Sequence, residues 1–259
     1  WDFSPTVAVA RDDRWGRAYE SWSEDPQIVG AFAGEMVEGL QGKGGSEAFL
    51  SNDHVIATAK HFIGDGGTLN GVDRGPTQGD EKHLRDIHGA GYFSALESGV
   101  QAVMASFTSW DGHKYLLTDV LKGQMGFDGL VVGDWSGHSF IPGCTAVDCP
   151  ESLMAGLDIY MVPESNWKDL YNNLLAQAKS GEVTAERLDD AVRRILRVKI
   201  RAGLFEKGAP STRPLAGKKE LLGAPEHRAV ARQAVRESLV LLKNKNNLLP
   251  LARNQKVLV

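Results

Sequence analysis

Short apolar runs alternate with longer stretches of helical periodicity along most of the chain. The apolar runs predict strands at residues 7–10, 55–59, 101–105, 130–133 and 159–162. The periodic stretches predict helices at residues 25–40, 81–97, 118–124, 151–155, 167–179 and 184–203, and the last has a predicted buried stripe of Leu188, Val192, Ile195 and Leu196. Strands that alternate with helices are typical of a parallel sheet covered by helices, so the predicted fold class is α/β.

The pattern changes near residue 207, and the change predicts the domain organisation. Residues 207–224 contain glycine and proline without a period, which indicates an interdomain linker. Beyond it, residues 225–242 have a helical pattern and residues 256–259 begin a strand. Residues 1–206 provide only about five strands, whereas a (β/α)8 barrel needs eight. We therefore expect residues 1–206 to be the C-terminal majority of an incomplete (β/α)8 TIM-like barrel, and residues 225–259 to be the truncated beginning of a second domain.

Composition and charge narrow the range of partners. The 259 residues are 42% hydrophobic and 24% charged, as in ordinary globular proteins. The formal net charge of −4 provides no basic field for nucleic acid or an anionic lipid surface. No apolar stretch approaches the roughly 20 residues of a membrane span. Cys144 and Cys149 form either a small disulfide-closed loop or two free thiols, and no second ligand pair at similar spacing indicates a zinc site.

Asp134 is the first candidate for chemistry, because catalytic residues of (β/α)8 barrels lie at the carboxyl ends of strands. It follows a clean apolar run and directly precedes Trp135. A carboxylate there could attack or stabilise an oxocarbenium-like anomeric carbon, and the indole offers an apolar face to a sugar ring. The alternative is an aspartate that caps the next helix, and position alone does not choose between the two.

Polar residues also follow the second predicted strand and the first. Lys60 and His61 could donate hydrogen bonds to several hydroxyls at once. The glycines after them could instead cradle a phosphate, but Asp65 lies among them and no Gly-Lys-Ser/Thr sequence follows. In the loop after the first strand, Arg17 could bind hydroxyls or form a structural pair with Glu20.

A retaining glycosidase needs a nucleophile and a separate acid/base about 5 Å apart. No second carboxylate stands at a predicted strand end. Glu20, Asp65 and Asp73 are candidates, although each fits a ligand-positioning or structural role better.

Six sequence blocks together resemble glycoside hydrolase family 3. They are residues 15–25, 59–68, 103–112, 126–135, 155–163 and 187–199. The blocks follow the family's order and span essentially the whole chain, and they are most similar to the β-glucosidase and β-glucan exohydrolase branch. The resemblance implies a (β/α)8-like domain joined by a linker to an α/β sandwich domain, with the sugar pocket at their interface.

The resemblance also implies roles for individual residues. Asp134 matches the catalytic nucleophile, and Trp135 matches a wall of the pocket. Arg17, Lys60 and His61 match the ligands of the terminal glucosyl hydroxyls.

Three further points follow from the same resemblance. Glu20 matches an acid beside the arginine, in a supporting position. Phe107 stands where plant-type members carry tyrosine, so a hydroxyl near the nucleophile is missing. Residues 71–75 lack the histidine that acts as acid/base in the N-acetylglucosaminidase branch, which favours the branch whose acid/base glutamate comes from the second domain, outside this segment.

The implied function is a retaining exo-acting hydrolase. It would release terminal β-D-glucosyl residues from β-glucans, cello-oligosaccharides or aryl β-glucosides through a covalent glycosyl-aspartate intermediate, with no metal or organic cofactor. The alternatives are a β-xylosidase or β-N-acetylglucosaminidase of the same family, or a non-catalytic sugar-binding protein. Polysaccharide substrates and the pair Cys144 and Cys149 favour a periplasmic or secreted location.

Overall fold

The computed structural model describes residues 1–108, 110, 116–163 and 165–256. The described residues up to 214 form a parallel sheet covered by helices. The strands are β1 (Thr58–Phe62), β2 (Ala102–Ala105) and β3 (Leu130–Val132). The α-helices are α1 (Pro26–Gln41), α2 (Glu81–His83), α3 (Ala90–Glu97), α4 (Pro150–Met154), α5 (Trp167–Ser180), α6 (Ala185–Arg201) and α7 (Pro225–Ser238). The segments Leu84–His88 and Leu116–Gln124 are π-helical. The predicted α/β class is therefore confirmed.

The strands lie side by side in chain order, β1-β2-β3, and all pairings are parallel. Two single bridges extend the sheet, because Thr6 pairs parallel with Lys60 and Ile159 pairs parallel with Val132. Five successive segments of the chain thus lie next to one another in the order in which they occur. Their carboxyl ends meet at one edge of the sheet.

Both faces of the sheet are apolar, as expected for a buried parallel sheet. On one face, Val103 and Val131 belong to the same core as residues of α1 and α3. On the other face, Ala102, Leu130 and neighbouring strand residues pack with Val198 of α6. Strands β2 and β3 are therefore buried on both sides, which explains their nearly continuous apolar sequence.

The structure corrects three predicted strands. β1 begins three residues later than predicted, so Lys60 and His61 lie inside the strand and not after it. None of residues 7–10 is in a strand, and the bridge beside them is formed by Thr6; the predicted strand at 159–162 is reduced to the bridge of Ile159. The apolar runs correctly indicated which segments are buried. The bounds of a strand, however, depend on which backbone groups form hydrogen bonds, and apolar runs do not report this. Here the pairing of residues 4–7 with β1 extends past the apolar run and includes polar side chains.

The helices agree with their predicted positions, with two corrections. The predicted helix at 81–97 is interrupted by a π-helical turn, Leu84–His88. In α6, Val192 and Leu196 of the predicted buried stripe are exposed, whereas Ala191 and Val198 are buried. The half-buried Arg187 and Arg194 of α6 donate hydrogen bonds to the backbone carbonyls of Leu153 and Phe127. Leu188 and Ile195 of the predicted stripe are half-buried on the same face as Ala191 and Val198, so the stripe was correct for two of its four residues.

The chain divides into two compact units, Trp1–Pro214 and Leu215–Val259. In the second unit, α7 ends at Ser238, four residues before its predicted end. The strand predicted to begin at residue 256 lies almost entirely outside the described residues. In the first unit, Cys144 and Cys149 form a disulfide, which settles the question that the sequence left open. None of the described helices is long and apolar enough to cross a membrane.

Candidate active site

Asp134 lies just beyond the carboxyl end of β3 and is only 8% exposed. The backbone N–H of Gly133 donates to the carbonyl of Ile159 at 2.9 Å, which fixes the end of the strand. Oδ1 of Asp134 accepts from the backbone N–H of Trp135 at 2.7 Å. The alternative role as a helix cap is wrong, because the next helical turn has Ser136 at its N-cap position and no side chain caps it.

His61 approaches Asp134 from β1. Its Nδ1 donates to Oδ2 of the buried Asp65 at 2.9 Å, so we assign the ring proton to Nδ1. Nε2 then accepts from the guanidinium of Arg17 at 3.2 Å, because a guanidinium can only donate. The 3.5 Å separation between Nε2 and Oδ2 of Asp134 is therefore a close approach and not an ion pair in this tautomer.

Lys60 and His61 both line the cavity that contains Asp134, although neighbouring residues of a strand normally face opposite sides. The register of β1 explains this. Ala59 pairs with Val103 and Phe62 with Ala105, so three steps along β1 match two steps along β2. A bulge of this kind breaks the alternation of side chains and redirects them at a strand end.

Arg17 is both a cavity residue and the partner of Glu20. Its guanidinium lines the cavity and also makes two hydrogen bonds to Glu20, at 2.7 and 2.9 Å. These hydrogen bonds lower the pKa of Glu20 below its usual range and raise that of Arg17. Glu20 also accepts from the hydroxyl of Thr6 at 3.4 Å. Glu20 thus holds Arg17 in place from outside the cavity wall.

The cavity has a volume of about 630 Å³, within the range of small-molecule sites. Its inner part carries Arg17, Lys60, His61 and Asp134, whereas its mouth carries Trp135 and other aromatic side chains. Trp135 is 63% exposed, in contrast to the buried Asp134. A carboxylate among hydrogen-bond donors, below an aromatic rim, suits a polyhydroxylated ring whose reacting carbon meets the carboxylate.

Phe107 also lines the cavity, and it packs edge to face against Phe140 at 5.1 Å between ring centroids. A Cβ atom built on Gly137 would lie 3.5 Å from the Phe107 ring and 3.8 Å from the Cβ of Asp134. The ring therefore lies close to Asp134 without a hydroxyl to offer it. Phe140, which the sequence did not single out, extends the same aromatic wall toward solvent.

The three candidate second carboxylates are engaged elsewhere. Glu20 binds Arg17, Asp65 binds His61, and Asp73 accepts from the indole N–H of Trp15 at 2.9 Å. Among the described residues that line the cavity, Asp134 is the only carboxylate. Within that part of the chain, no side chain is therefore placed to protonate a leaving group opposite Asp134.

A buried charged group that sequence reasoning missed lies beneath β3. Oδ1 of Asp158 accepts from Nζ of Lys122 at 2.8 Å and from the guanidinium of Arg187, and Oδ2 accepts from the backbone N–H of Val131 at 2.8 Å. Burial lowers the pKa of Lys122, which the charge of Asp158 partly offsets. The signal in the sequence was an aspartate directly before the apolar residues 159–162. This group anchors the strand that carries Asp134.

Cysteine and carboxylate groups come together at one further place. Among the described residues, Cys144, Cys149 and Glu151 are the only trio of possible metal ligands, with ligand atoms within 4.8 Å of one another. Both sulfur atoms are joined in the disulfide, so they do not form a thiolate site.

A parallel α/β sheet with a carboxylate just beyond one strand and hydrogen-bond donors near it is an arrangement that (β/α)8 enzymes also use. The chain belongs to glycoside hydrolase family 3, since residues 1–198 match the glycosyl hydrolase family 3 N terminal domain. The resemblance of the six sequence blocks is therefore confirmed.

Individual relatives agree with this membership. The crystal structure of an exo-1,3/1,4-beta-glucanase (ExoP) from a Pseudoalteromonas species is 58% identical, with a TM-score of 0.94 over 97% of this chain and 32% of that chain. A beta-glucosidase of Rhizobium radiobacter is 37% identical over 97% of this chain and 28% of its own length. A D270A mutant beta-glucosidase from Listeria innocua, solved with laminaribiose, is 32% identical, with a TM-score of 0.85 over 96% of this chain and 35% of that chain. The chain thus spans about a third of the length of these relatives.

Proposed function

We propose that the chain provides the nucleophile and the inner sugar pocket of a retaining, exo-acting β-glucosidase or β-glucan exohydrolase. The observation that carries the proposal is the position of Asp134, a carboxylate at a strand end that shares one cavity with Arg17, Lys60 and His61. The relatives named as beta-glucosidase and exo-1,3/1,4-beta-glucanase support the substrate class. The substrates are β-linked glucosides and glucan oligosaccharides.

In the proposed reaction, Asp134 attacks the anomeric carbon of the terminal glucosyl unit and the bond to the leaving oxygen breaks. Water then hydrolyses the glycosyl-aspartate ester and releases the sugar. Arg17 and Lys60 donate hydrogen bonds to ring hydroxyls, and His61 presents Nε2 to the sugar as an acceptor. Those hydrogen bonds that strengthen in the transition state raise kcat. Trp135 forms the wall against which the sugar packs.

The proton donor for the leaving oxygen is proposed to be a glutamate outside residues 1–259. This fits the absence of a second carboxylate among the described cavity residues. We also propose that residues 1–206 are part of an incomplete (β/α)8 barrel, that residues 207–224 are a linker and that residues 225–259 begin an α/β sandwich domain. Five adjacent parallel segments and the greater length of the relatives support this division. The disulfide supports a periplasmic or secreted location, because disulfides persist in oxidising compartments.

Covalent labelling tests the proposal. The full-length protein that contains these residues is treated with a 2-fluoro β-glucoside carrying a good leaving group, and the labelled peptide is sequenced by mass spectrometry. The sugar is expected on Asp134, and Asp134→Asn should prevent both labelling and turnover of an aryl β-glucoside. A label on any other residue would rule out Asp134 as the nucleophile, and stoichiometric sugar binding without any turnover would favour a non-catalytic sugar-binding protein.

A further inference from the structure

Arg74 is a cavity residue that neither the sequence nor the family assignment singled out. It lines the same cavity as Asp134, and its side chain is 53% exposed. The guanidinium carbon lies 4.8 Å from the centroid of Phe107 and 5.9 Å from that of Phe140. The guanidinium of Arg74 thus lies over the aromatic wall at the open end of the cavity.

The cation–π contacts leave the donors of Arg74 available. Such a contact joins the charge of the guanidinium to the ring and uses none of its N–H groups as hydrogen-bond donors to a polar acceptor. Nε lies 3.6 Å from Oδ2 of Asp73, an ion-pair distance that is too long for a hydrogen bond. Among the described residues, no acceptor lies within hydrogen-bonding distance of its terminal nitrogens. A cation at a cavity mouth with unused planar donors is suited to bind ligand hydroxyls.

The backbone conformation of Arg74 indicates that its position costs conformational energy. Its φ is +63°, in the left-handed region where glycine is favoured and an arginine is strained. The loop is nevertheless held in place, because Asp73 accepts from the buried indole of Trp15. Strained residues that surrounding contacts hold in place are concentrated at ligand sites.

The depth of the cavity determines which part of a substrate Arg74 meets. Asp134 and His61 are almost fully buried, so the terminal sugar that Asp134 attacks lies at the inner end. The remainder of the substrate must extend toward the exposed mouth, where Arg74, Phe107 and Phe140 lie. We propose that Arg74 binds hydroxyls of the sugar on the leaving-group side, and so gives the site a preference for oligosaccharides over simple glucosides. This inference rests on the proposed function.

The test compares two substrates in the full-length protein. Laminaribiose has a hydroxylated leaving sugar, whereas the nitrophenyl group of p-nitrophenyl β-D-glucoside has no hydroxyl. For Arg74→Gly we expect kcat/KM on laminaribiose to fall about tenfold, the effect of one charged hydrogen bond. On the aryl glucoside kcat/KM should be unchanged, as should inhibition by isofagomine, a mimic of a single sugar. The melting temperature should not fall, because glycine relaxes the left-handed backbone.

Arg14→Ala is the matched control. Arg14 is exposed, pairs with Asp12 and lies beside the loop that carries Arg74, but it does not line the cavity. Its loss should leave kcat/KM on both substrates unchanged. The role of Arg74 would be overturned if Arg74→Gly lost the same factor in kcat/KM on both substrates, or if it kept full activity on laminaribiose. Either result would leave the proposed function intact. A wild-type protein that hydrolyses neither substrate would overturn the proposed function and this inference with it.

Discussion

Asp65 fixes the orientation of His61 through a 2.9 Å hydrogen bond between its Oδ2 and Nδ1 of the imidazole. Both side chains are almost fully buried, so neither exchanges this partner for solvent. With the proton held on Nδ1, Nε2 is an acceptor for Arg17 and cannot donate to Asp134. Asp65 therefore controls which hydrogen-bonding edge the histidine presents to the cavity.

Asp65→Asn should lower activity without removing any cavity residue. An amide can donate as well as accept, so it permits the tautomer with the proton on Nε2, which would point at the donor of Arg17. We expect kcat/KM on an aryl β-glucoside to fall at least about tenfold, as for other residues that orient a functional histidine. Steady-state kinetics of the full-length protein checks this.

Asp53→Asn provides the matched control for that measurement. Asp53 contacts the imidazole of His54 at 3.1 Å, but this pair is on the surface and away from the cavity. Its replacement should leave kcat/KM unchanged. Wild-type kinetics in Asp65→Asn would show that Asp65 does not set the state of His61.

The Arg17–Glu20 pair should make stability depend on pH. The pKa of Glu20 is lowered in the folded protein, mainly by its hydrogen bonds from Arg17. A lowered pKa means that the unfolded chain binds the proton more tightly, so the pair stabilises the fold above the ordinary glutamate pKa of about 4.3. This contribution is lost as the pH falls through the lowered pKa of the folded state.

Glu20→Gln should therefore lower the melting temperature at pH 7, and the difference from wild type should shrink as the pH falls below about 4. Thermal unfolding followed by circular dichroism across this range measures the difference. Glu35→Gln, at an exposed position of α1 that makes no ion pair among the described residues, should show no such pH dependence. A difference between Glu20→Gln and wild type that is the same at every pH would contradict the prediction.

Asp158→Asn tests the buried charged group beneath β3. Loss of the carboxylate leaves Lys122 and Arg187 with Asp190 as their remaining acidic partner, in a site where the Asp158 side chain itself is fully buried. Removal of one partner from a buried ion pair costs about 3 kcal/mol of unfolding free energy. Asp189→Asn breaks the exposed pair with Arg193 and should cost less than about 1 kcal/mol. Urea unfolding compares the two, and equal costs would mean that Asp158 does not anchor the strand.

The sequence predicted the elements well where apolar periodicity and burial coincide. β2 and β3 are buried on both faces, and α1 begins directly after Asp25, whose carboxylate caps the helix by accepting from the backbone N–H of Gln27. Hydrophobic periodicity did not predict the strand bounds where a strand contains polar side chains. Lys60 and His61 lie within β1 because backbone pairing continues through them, which no hydrophobic pattern reports.

Some residues of the candidate site could likewise be predicted from the sequence, and others could not. Residues directly after an apolar run, such as Asp134 and Trp135, could be found from the sequence because strand ends are recognisable. Arg74 could not, because it reaches the cavity from a loop whose left-handed backbone and contact with Phe107 exist only in three dimensions. The tautomer of His61 likewise depends on partners distributed over separate segments of the chain.

The disulfide should stabilise the rim of the cavity. Cys144 and Cys149 close a loop that includes Ala146, a cavity residue, and His138 donates to the carbonyl of Ala146 at 2.9 Å. A disulfide that closes so short a loop stabilises a fold by about 2 kcal/mol, mainly through its effect on the unfolded chain. The double variant Cys144→Ser with Cys149→Ala should therefore melt at a lower temperature.

The KM of the double cysteine variant for an oligosaccharide should also rise by a larger factor than its kcat falls. The reason is that the loosened loop, residues 144–149, lies at the mouth of the cavity and not beside Asp134. Dithiothreitol should lower the melting temperature of the wild type and leave that of the double variant unchanged. Mass spectrometry of unreduced peptides supplies the direct check: residues 144 and 149 should appear in one cross-linked species. Two free thiols in unfolded, unreduced wild-type protein would show that the bond does not form, and the argument for an oxidising compartment would then lose its structural support.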